Sequence, residues 1–262
     1  MGRVMRRILV NVMWALTLPA LLIAAWWLVS DDSTSIYSPP LRTILRTFGP
    51  TWDGDRLTHD VVPSLLRLTA GYLLAAVAGI GLGLLVGLHA QLRATLEPVL
   101  EFLRALPPPV LVPIIMLFAG IGDTMKLIVI ASGCLWPVLL NTVEGVRAVD
   151  QVMIETARSY RLPAPARLRH LVLPAASPQI FAGLRQALSI GIILMVISEM
   201  FAASNGLGFA IVDFQRSFAI PEMWSGILLL GLLGFVLSML FQLVERRALA
   251  WYHGLRASRR AS

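Results

Sequence analysis

Residues 68–88, LTAGYLLAAVAGIGLGLLVGL, run for 21 positions without a charge. About 20 apolar residues in a helix cross the hydrocarbon core of a bilayer. No water reaches that core, so a spanning segment must satisfy its own backbone hydrogen bonds, and a helix does so within one stretch of chain. The stretch therefore predicts a transmembrane helix. Gly79, Gly83 and Gly87 recur in it every four residues and share one face. Small residues at that spacing let two helix backbones approach closely. Packing against another helix of the same chain is the general expectation, and a seam between two copies the alternative.

The same pattern repeats in both directions. Ile8–Val29 and Met223–Val244 each hold 22 uncharged residues, and shorter runs cover Ala105–Gly122 and Leu127–Val143. Another, Gln186–Ser198, is interrupted by Glu199 and resumes with MFAAS. Only 14% of residues are charged, against about 25% in soluble domains, and mean hydropathy is +0.75. These runs predict an all-α membrane protein of about six transmembrane helices. Proline in ALPPPVLVP (105–113) predicts a kink in the third, because each proline removes a backbone donor and crowds the preceding turn.

The first run follows MGRVMRR, as a secretory signal would. Signal cores are about 7–15 residues and end in a small-residue cleavage site. Here 22 residues lead into WWLVSDD, which predicts a retained first helix. Cytoplasmic loops hold an excess of lysine and arginine. With the amino terminus inside, 16 of the 22 basic residues lie on or near the cytoplasmic side, and six do not: Arg42, Arg46, Arg56, Arg67, Lys126 and Arg216. Both termini are then cytoplasmic. The net charge of +7 follows from this bias, so a nucleic-acid partner is not indicated.

Cys134 is the sole cysteine, mid-membrane, so no intrachain disulfide forms and no CxxC metal site exists. His59, His89, His170 and His253 are scattered over loops on both faces. No catalytic constellation, metal site or cofactor is read from the chain, and no G-x-x-x-x-G-K-[ST] loop for nucleotide phosphates occurs. If ATP drives this protein, another chain binds it. Glu199 is the only acid deep in an apolar run. Such a residue faces a bundle interior or a polar path, which makes it a candidate for a pathway or gate. The alternative is a glutamate near the outer end of its helix, paired with a basic residue or backbone amides.

One block stands apart from the apolar runs: ETARSYRLPAPARLRHLVLP, residues 155–174. Asp150 can cap a helix in which Met153, Ala157 and Tyr160 share one face. That helix must stop near Pro163, because the residue before proline is steered away from the helical region. Pro163 or Pro165 can open a second short helix, which Pro174 ends before the next transmembrane run. Two short amphipathic helices hinged on the cytoplasmic face result. They suit a soluble partner better than a lipid surface, which needs no hinge.

The block resembles the EAA signature of bacterial ATP-binding-cassette importer permeases: E-A-A, three residues, G, nine residues, I-x-L-P. Matching positions here are Glu155, Thr156, Ala157, then Arg161, then Leu171, Leu173 and Pro174. The second position is threonine, and arginine replaces the glycine. Glycine takes positive φ freely, whereas arginine there costs about 1 kcal/mol. PSLLRLTAGYLLA, LRALPPPVLVPIIMLFAGIGD and SEMFAASNGLGFAI are similar to stretches of nitrate, sulfonate and taurine importer permeases, in order from about residue 60 to 212. The resemblance implies one transmembrane permease domain over residues 1–262: first helix and outer loop to 60, core permease over 61–245, basic cytoplasmic tail over 246–262. It places the coupling-helix insert between helices 4 and 5 and the chain in the inner membrane. It also implies partners: cytoplasmic ATP-binding subunits docked on the EAA helices, a second permease copy, an extracytoplasmic solute-binding protein and membrane lipid. The solute would be a small anion such as a sulfonate, taurine or nitrate. An ion-coupled carrier or channel without an ATPase is the alternative from a different class.

Overall fold

A computed structural model describes residues 17–31, 33–201 and 203–252. The beginning of the first apolar run and the last ten residues lie outside the described residues. All regular structure among the described residues is helical. In chain order the helices are α1 Thr17–Ser30, α2 Leu41–Thr51, α3 Gly54–Leu88, α4 Ala90–Ala105, α5 Pro108–Ala119 and α6 Asp123–Arg147. Then follow α7 Gln151–Ser159, α8 Ala164–Phe201, α9 Leu207–Arg216 and α10 Ile220–Ala248. Helices α3, α6, α8 and α10 are long and apolar enough to cross a membrane, and α4 with α5 forms an apolar pair bent sharply at its break, a broken span or a re-entrant loop. Of the six expected spans, the first is described only in part, as α1.

The chain divides into two compact units. In the first, residues up to 57 and 210–229, indole groups dominate. Trp52 packs edge-on to Phe214 at 6.2 Å and donates from Nε1 to Ser225 Oγ at 2.9 Å. Trp26 lies 5.8 Å from Trp224, whose Nε1 donates to the Tyr37 carbonyl at 3.1 Å. Trp52 is buried, whereas the Trp224 bond is exposed, and indoles with one wet edge collect where a bilayer meets water.

In the second unit, residues 58–209 and from 230, α6 packs between α3 and α8. Lipid is as apolar as leucine, so these helices associate by close packing rather than by hydrophobic exclusion. A Cβ at Gly79 would come 2.8 Å from the Val138 Cβ, one at Gly83 2.5 Å from the Thr142 Cβ, and one at Gly87 2.8 Å from the Val146 Cβ. The three glycines seen in the sequence thus face α6 of the same chain. Across the other side of α6, Gly183 of α8 lies over the Pro137 carbonyl and Asn141, and Gly145 of α6 over the Ala176 carbonyl.

Proline behaves differently from expectation at two places. Pro174 does not end a short helix: α8 continues through it to Phe201 as one 38-residue helix. A widened π-turn over Leu168–Val172 precedes it, with Leu173 N–H bonded to the Leu168 carbonyl. This i→i+5 register absorbs the missing donor and relieves the ring's clash with the turn before it. The second short helix expected in the charged block is therefore the start of α8. A matching π-turn, Leu57–Val61, stands two residues ahead of Pro63 in α3. The third run is no kinked helix from Ala105; it breaks at Leu106 and Pro107, where α4 and α5 meet at 93°. Leu106 is extended (ψ 120°), as a residue before proline must be.

Candidate functional site

The charged block builds from α7. Asp150 caps it, its side chain accepting from Val152 N–H at 2.8 Å. Glu155 is exposed and accepts from Gln151 Nε2 at 3.3 Å. Thr156 turns its hydroxyl inward to the Val152 carbonyl at 2.7 Å. At the far end Arg161 N–H bonds the Arg158 carbonyl (2.8 Å) and Leu162 N–H bonds the Ala157 carbonyl (3.0 Å). These two bonds form a Schellman cap, which requires the residue between them to be left-handed. That residue is Arg161, with φ of +53°. Pro163 then prevents further winding and opens α8.

The cap folds α7 against the start of α8 around an apolar cup of about 280 Å³. Ala157 is buried at its floor, while Val152, Met153, Leu162 and an 80%-exposed Tyr160 form the rim. Leu171 reaches the cup and, with Leu173, packs on the buried cluster Val146, Val149, Val172, Ala176 and Ile180. Pro174 stands in the same turn, its carbonyl accepting from Ser177 Oγ at 2.8 Å. The cup is thus exposed on one side and anchored on α6 and α8 through the other. Beside it, a cavity of about 730 Å³ is lined by Arg93, Arg147, Arg158 and Arg167 with His89. These belong to the basic residues that the charge bias assigns to the cytoplasmic side.

Glu199 lies at the other end of α8, fully buried. Its carboxylate accepts from Arg67 Nη1 at 2.8 Å and from Gly208 N–H at 3.0 Å, with Ser64 Oγ at 2.7 Å. Ser64 Oγ also accepts from Leu207 N–H at 2.9 Å, and Asp60 Oδ1 accepts from Gly206 N–H at 3.0 Å. The first amides of α9 thereby find acceptors, and a carboxylate sits at a helix amino end, where the helix dipole favours it. Gly206 has φ of +118°, and a Cβ there would lie 2.5 Å from the Glu199 carboxyl carbon. Only glycine closes this loop over the carboxylate.

Arg67 links the cluster to an open cleft of about 620 Å³. Its Nη2 meets Asp123 Oδ1 and Asn205 Oδ1, both at 2.7 Å. Lys126, only 3% exposed, reaches Asp123 Oδ1 at 3.5 Å. Sequence reading singled out Glu199 but not its partners. Arg67, Ser64 and Asn205 lie in stretches whose family likeness is visible, yet their pairing spans more than 130 positions. The available signal was charge: a buried carboxylate needs a cation, and Arg67 directly adjoins an apolar run.

No group of three or more His, Cys, Asp or Glu side chains placed to hold a metal occurs among the described residues. The Cys134 thiol is buried and donates to the Ala187 carbonyl at 3.2 Å.

Comparison with known proteins follows the same lines. Residues 75–249 match a family described as binding-protein-dependent transport system inner membrane component. A putative aliphatic sulfonates transport permease protein of Bacillus subtilis is 31% identical over 242 residues, 91% of this chain and 87% of that one. The taurine transport system permease protein of Escherichia coli is 30% identical over 240 residues, 89% of this chain and 87% of that one. A bicarbonate transport system permease protein of Synechococcus elongatus is 34% identical over 191 residues, 72% of this chain and 69% of that one. Among solved structures, the chain is similar in fold to the inward-facing MetNI methionine ABC transporter. The TM-score is 0.62 at 17% identity, covering 79% of this chain and 97% of that one.

Proposed function

The chain belongs to the family of binding-protein-dependent transport system inner membrane components, and from that premise we propose that it forms the path of an ATP-driven importer for a small anion. As a permease subunit it is a transporter component rather than an enzyme in its own right. ATP hydrolysis belongs to cytoplasmic partner subunits, and solute arrives from an extracytoplasmic binding protein. A second copy of the chain completes the path, and both termini face the cytoplasm. The family itself disfavours a carrier that works without an ATPase.

The observation that carries the reading is the cup on α7 and α8. It is apolar, exposed and rimmed by Met153 and Tyr160, so it lacks a covering partner within the described residues. Its floor residue Ala157 and the exposed Glu155 are the positions that match the coupling signature, and Arg161, Leu171, Leu173 and Pro174 fix the turn that presents them. Two rigid helices joined by a hydrogen-bonded cap can transmit motion from an ATPase groove to α6 and α8, which is what switching one bundle between two packings requires. Aliphatic sulfonates and bicarbonate, named for relatives, carry anionic oxygens, as taurine does in its sulfonate. That supports a small anion as solute.

Co-purification tests the coupling. Met153→Asp and Tyr160→Asp place charge on the rim, and Glu155→Arg reverses it. Each variant inserts and folds, because the changes are exposed, but loses the ATPase subunit on purification or hydrolyses ATP without uptake. Retention of the ATPase together with full uptake in all three would overturn the docking role of the cup.

A further inference from the structure

The cleft beside Arg67 is built unlike the rest of the surface. Two cations converge on it, Arg67 at 7% and Lys126 at 3% exposure, and both are held by helices of the packed core. Arg67 is oriented by Glu199 and Asn205, so its free geometry is already lost. Among the described residues Lys126 Nζ has a single long polar contact, 3.5 Å to Asp123. The amino end of α6 opens on the same space: Gly122 supplies no capping side chain, and a Cβ on it would meet nothing within 4 Å. Unpaired first-turn amides of a long helix attract anions. Ile121 and Phe201, both largely exposed, add apolar surface.

One anionic group already joins both cations. The Asp123 carboxylate lies 2.7 Å from Arg67 and 3.5 Å from Lys126, yet its side chain is 73% exposed. Glu199 balances Arg67 from the buried side, and among the described residues Asp123 is the only carboxylate lining the cleft. Because Asp123 stays largely hydrated in the pair, it can swing into water at little solvation cost, whereas Lys126 and Arg67 cannot follow. The arrangement is a cationic floor with an exchangeable internal counter-ion and an apolar rim.

We propose that this cleft is an anion subsite, in which Arg67, Lys126 and the amino end of α6 receive the sulfonate- or carboxylate-type group of a small organic solute in place of the Asp123 carboxylate. The inference rests on the importer reading above and on the charge bias that puts Lys126 and Arg67 on the outer side. It adds a position for the solute within this chain. Asp123 acts as a gatekeeper: it holds the two cations until a solute anion takes its place, so a small inorganic anion must displace it to bind.

A thiol placed at the cleft tests this without any partner subunit. In full-length protein in lipid nanodiscs carrying Ser204→Cys, reaction rates are compared for an anionic reagent, sulfonatoethyl methanethiosulfonate, and its cationic trimethylammonium counterpart. A cleft that focuses one sign of charge favours the anionic reagent by at least about tenfold. Asp123→Asn raises that ratio and Lys126→Gln lowers it, and millimolar ethanesulfonate slows labelling in the unsubstituted background of the thiol variant. Asp123 is exposed, so the first substitution remains informative if loss of Lys126 impairs folding. Equal rates for the two reagents, or ratios unmoved by Asp123→Asn, would overturn the proposal. In the assembled transporter Lys126→Gln raises the KM for uptake, and an unchanged KM counts against the subsite. Failure of the complete wild-type transporter to import any small anion would instead remove the solute class proposed above, with the labelling ratios still deciding the character of the cleft.

Discussion

Arg161 and Glu199 show how single side chains carry strain or charge for the sake of geometry. Arg161 occupies a left-handed position, φ +53°, that costs an ordinary residue about 1–2 kcal/mol. Arg161→Gly removes this cost, less the extra entropy glycine loses on folding, so thermal unfolding in detergent is expected to rise by a few degrees. Arg161→Val lowers it, because a branched side chain tolerates positive φ worse. Glu199 is held by Arg67, Ser64 and Gly208, a geometry that favours a latch at the end of α8 over a moving gate. Breaking one partner of a buried pair costs about 3–5 kcal/mol. Glu199→Ala is therefore expected to cut folded yield sharply, measured by size-exclusion profile. Arg67→Met with Glu199→Leu recovers part of it, because no buried charge is left unpaired. If Glu199→Ala folds normally and only transport is lost, the residue belongs to the path instead.

At the scale of helices, packing depends on what is missing. Gly83 sits where a Cβ would press within 2.5 Å of Thr142 and 2.8 Å of the Leu139 carbonyl oxygen. Backbone cannot yield as a side chain does, so Gly83→Leu is expected to separate α3 from α6 and abolish monodisperse protein, whereas Gly81→Ala, with open space around it, leaves the elution profile unchanged. Gly79, Gly83 and Gly87 were legible from spacing alone, since a repeat of four marks one helix face. The continuity of α8 through Pro174 was not. Proline reads as a terminator in one dimension, and only a π-turn two residues earlier, over Leu168–Val172, lets the helix pass. The same device before Pro63 suggests a test: deleting one residue of the turn, such as Arg169, restores ordinary register, rotates Glu155 and Ala157 relative to α8, and is expected to uncouple ATPase binding while the spans still insert.

For the whole molecule, the proposed function depends on chains beyond this one. No phosphate-binding loop occurs in its 262 residues, so the protein alone in liposomes is expected to show neither ATP hydrolysis nor ATP-dependent uptake. Both appear once ATPase subunits and a binding protein are added, measured as phosphate release and radiolabelled anion accumulation. Hydrolysis by the purified permease would contradict the assignment. Much of α10 points apolar side chains outward, among them Leu232, Phe235, Met239 and Leu243. Such a face is stable against lipid or a second subunit and would aggregate in water.

The sequence by itself determined the class, the apolar stretches within α3, α6, α8 and α10, and the turn at residues 161–163. Those properties depend on how many consecutive residues lack charge and on where proline interrupts them, and both are local. The tertiary structure alone decided that Arg67 answers Glu199 across 132 positions, that Gly206 must be glycine because a carboxylate lies where its side chain would be, and that Asp123 shares its charge between Arg67 and Lys126. Coulombic and hydrogen-bonded partners are chosen by which helix ends meet. Hydropathy is summed along the chain, whereas an ion pair forms only where folding brings two distant charges within a few ångströms.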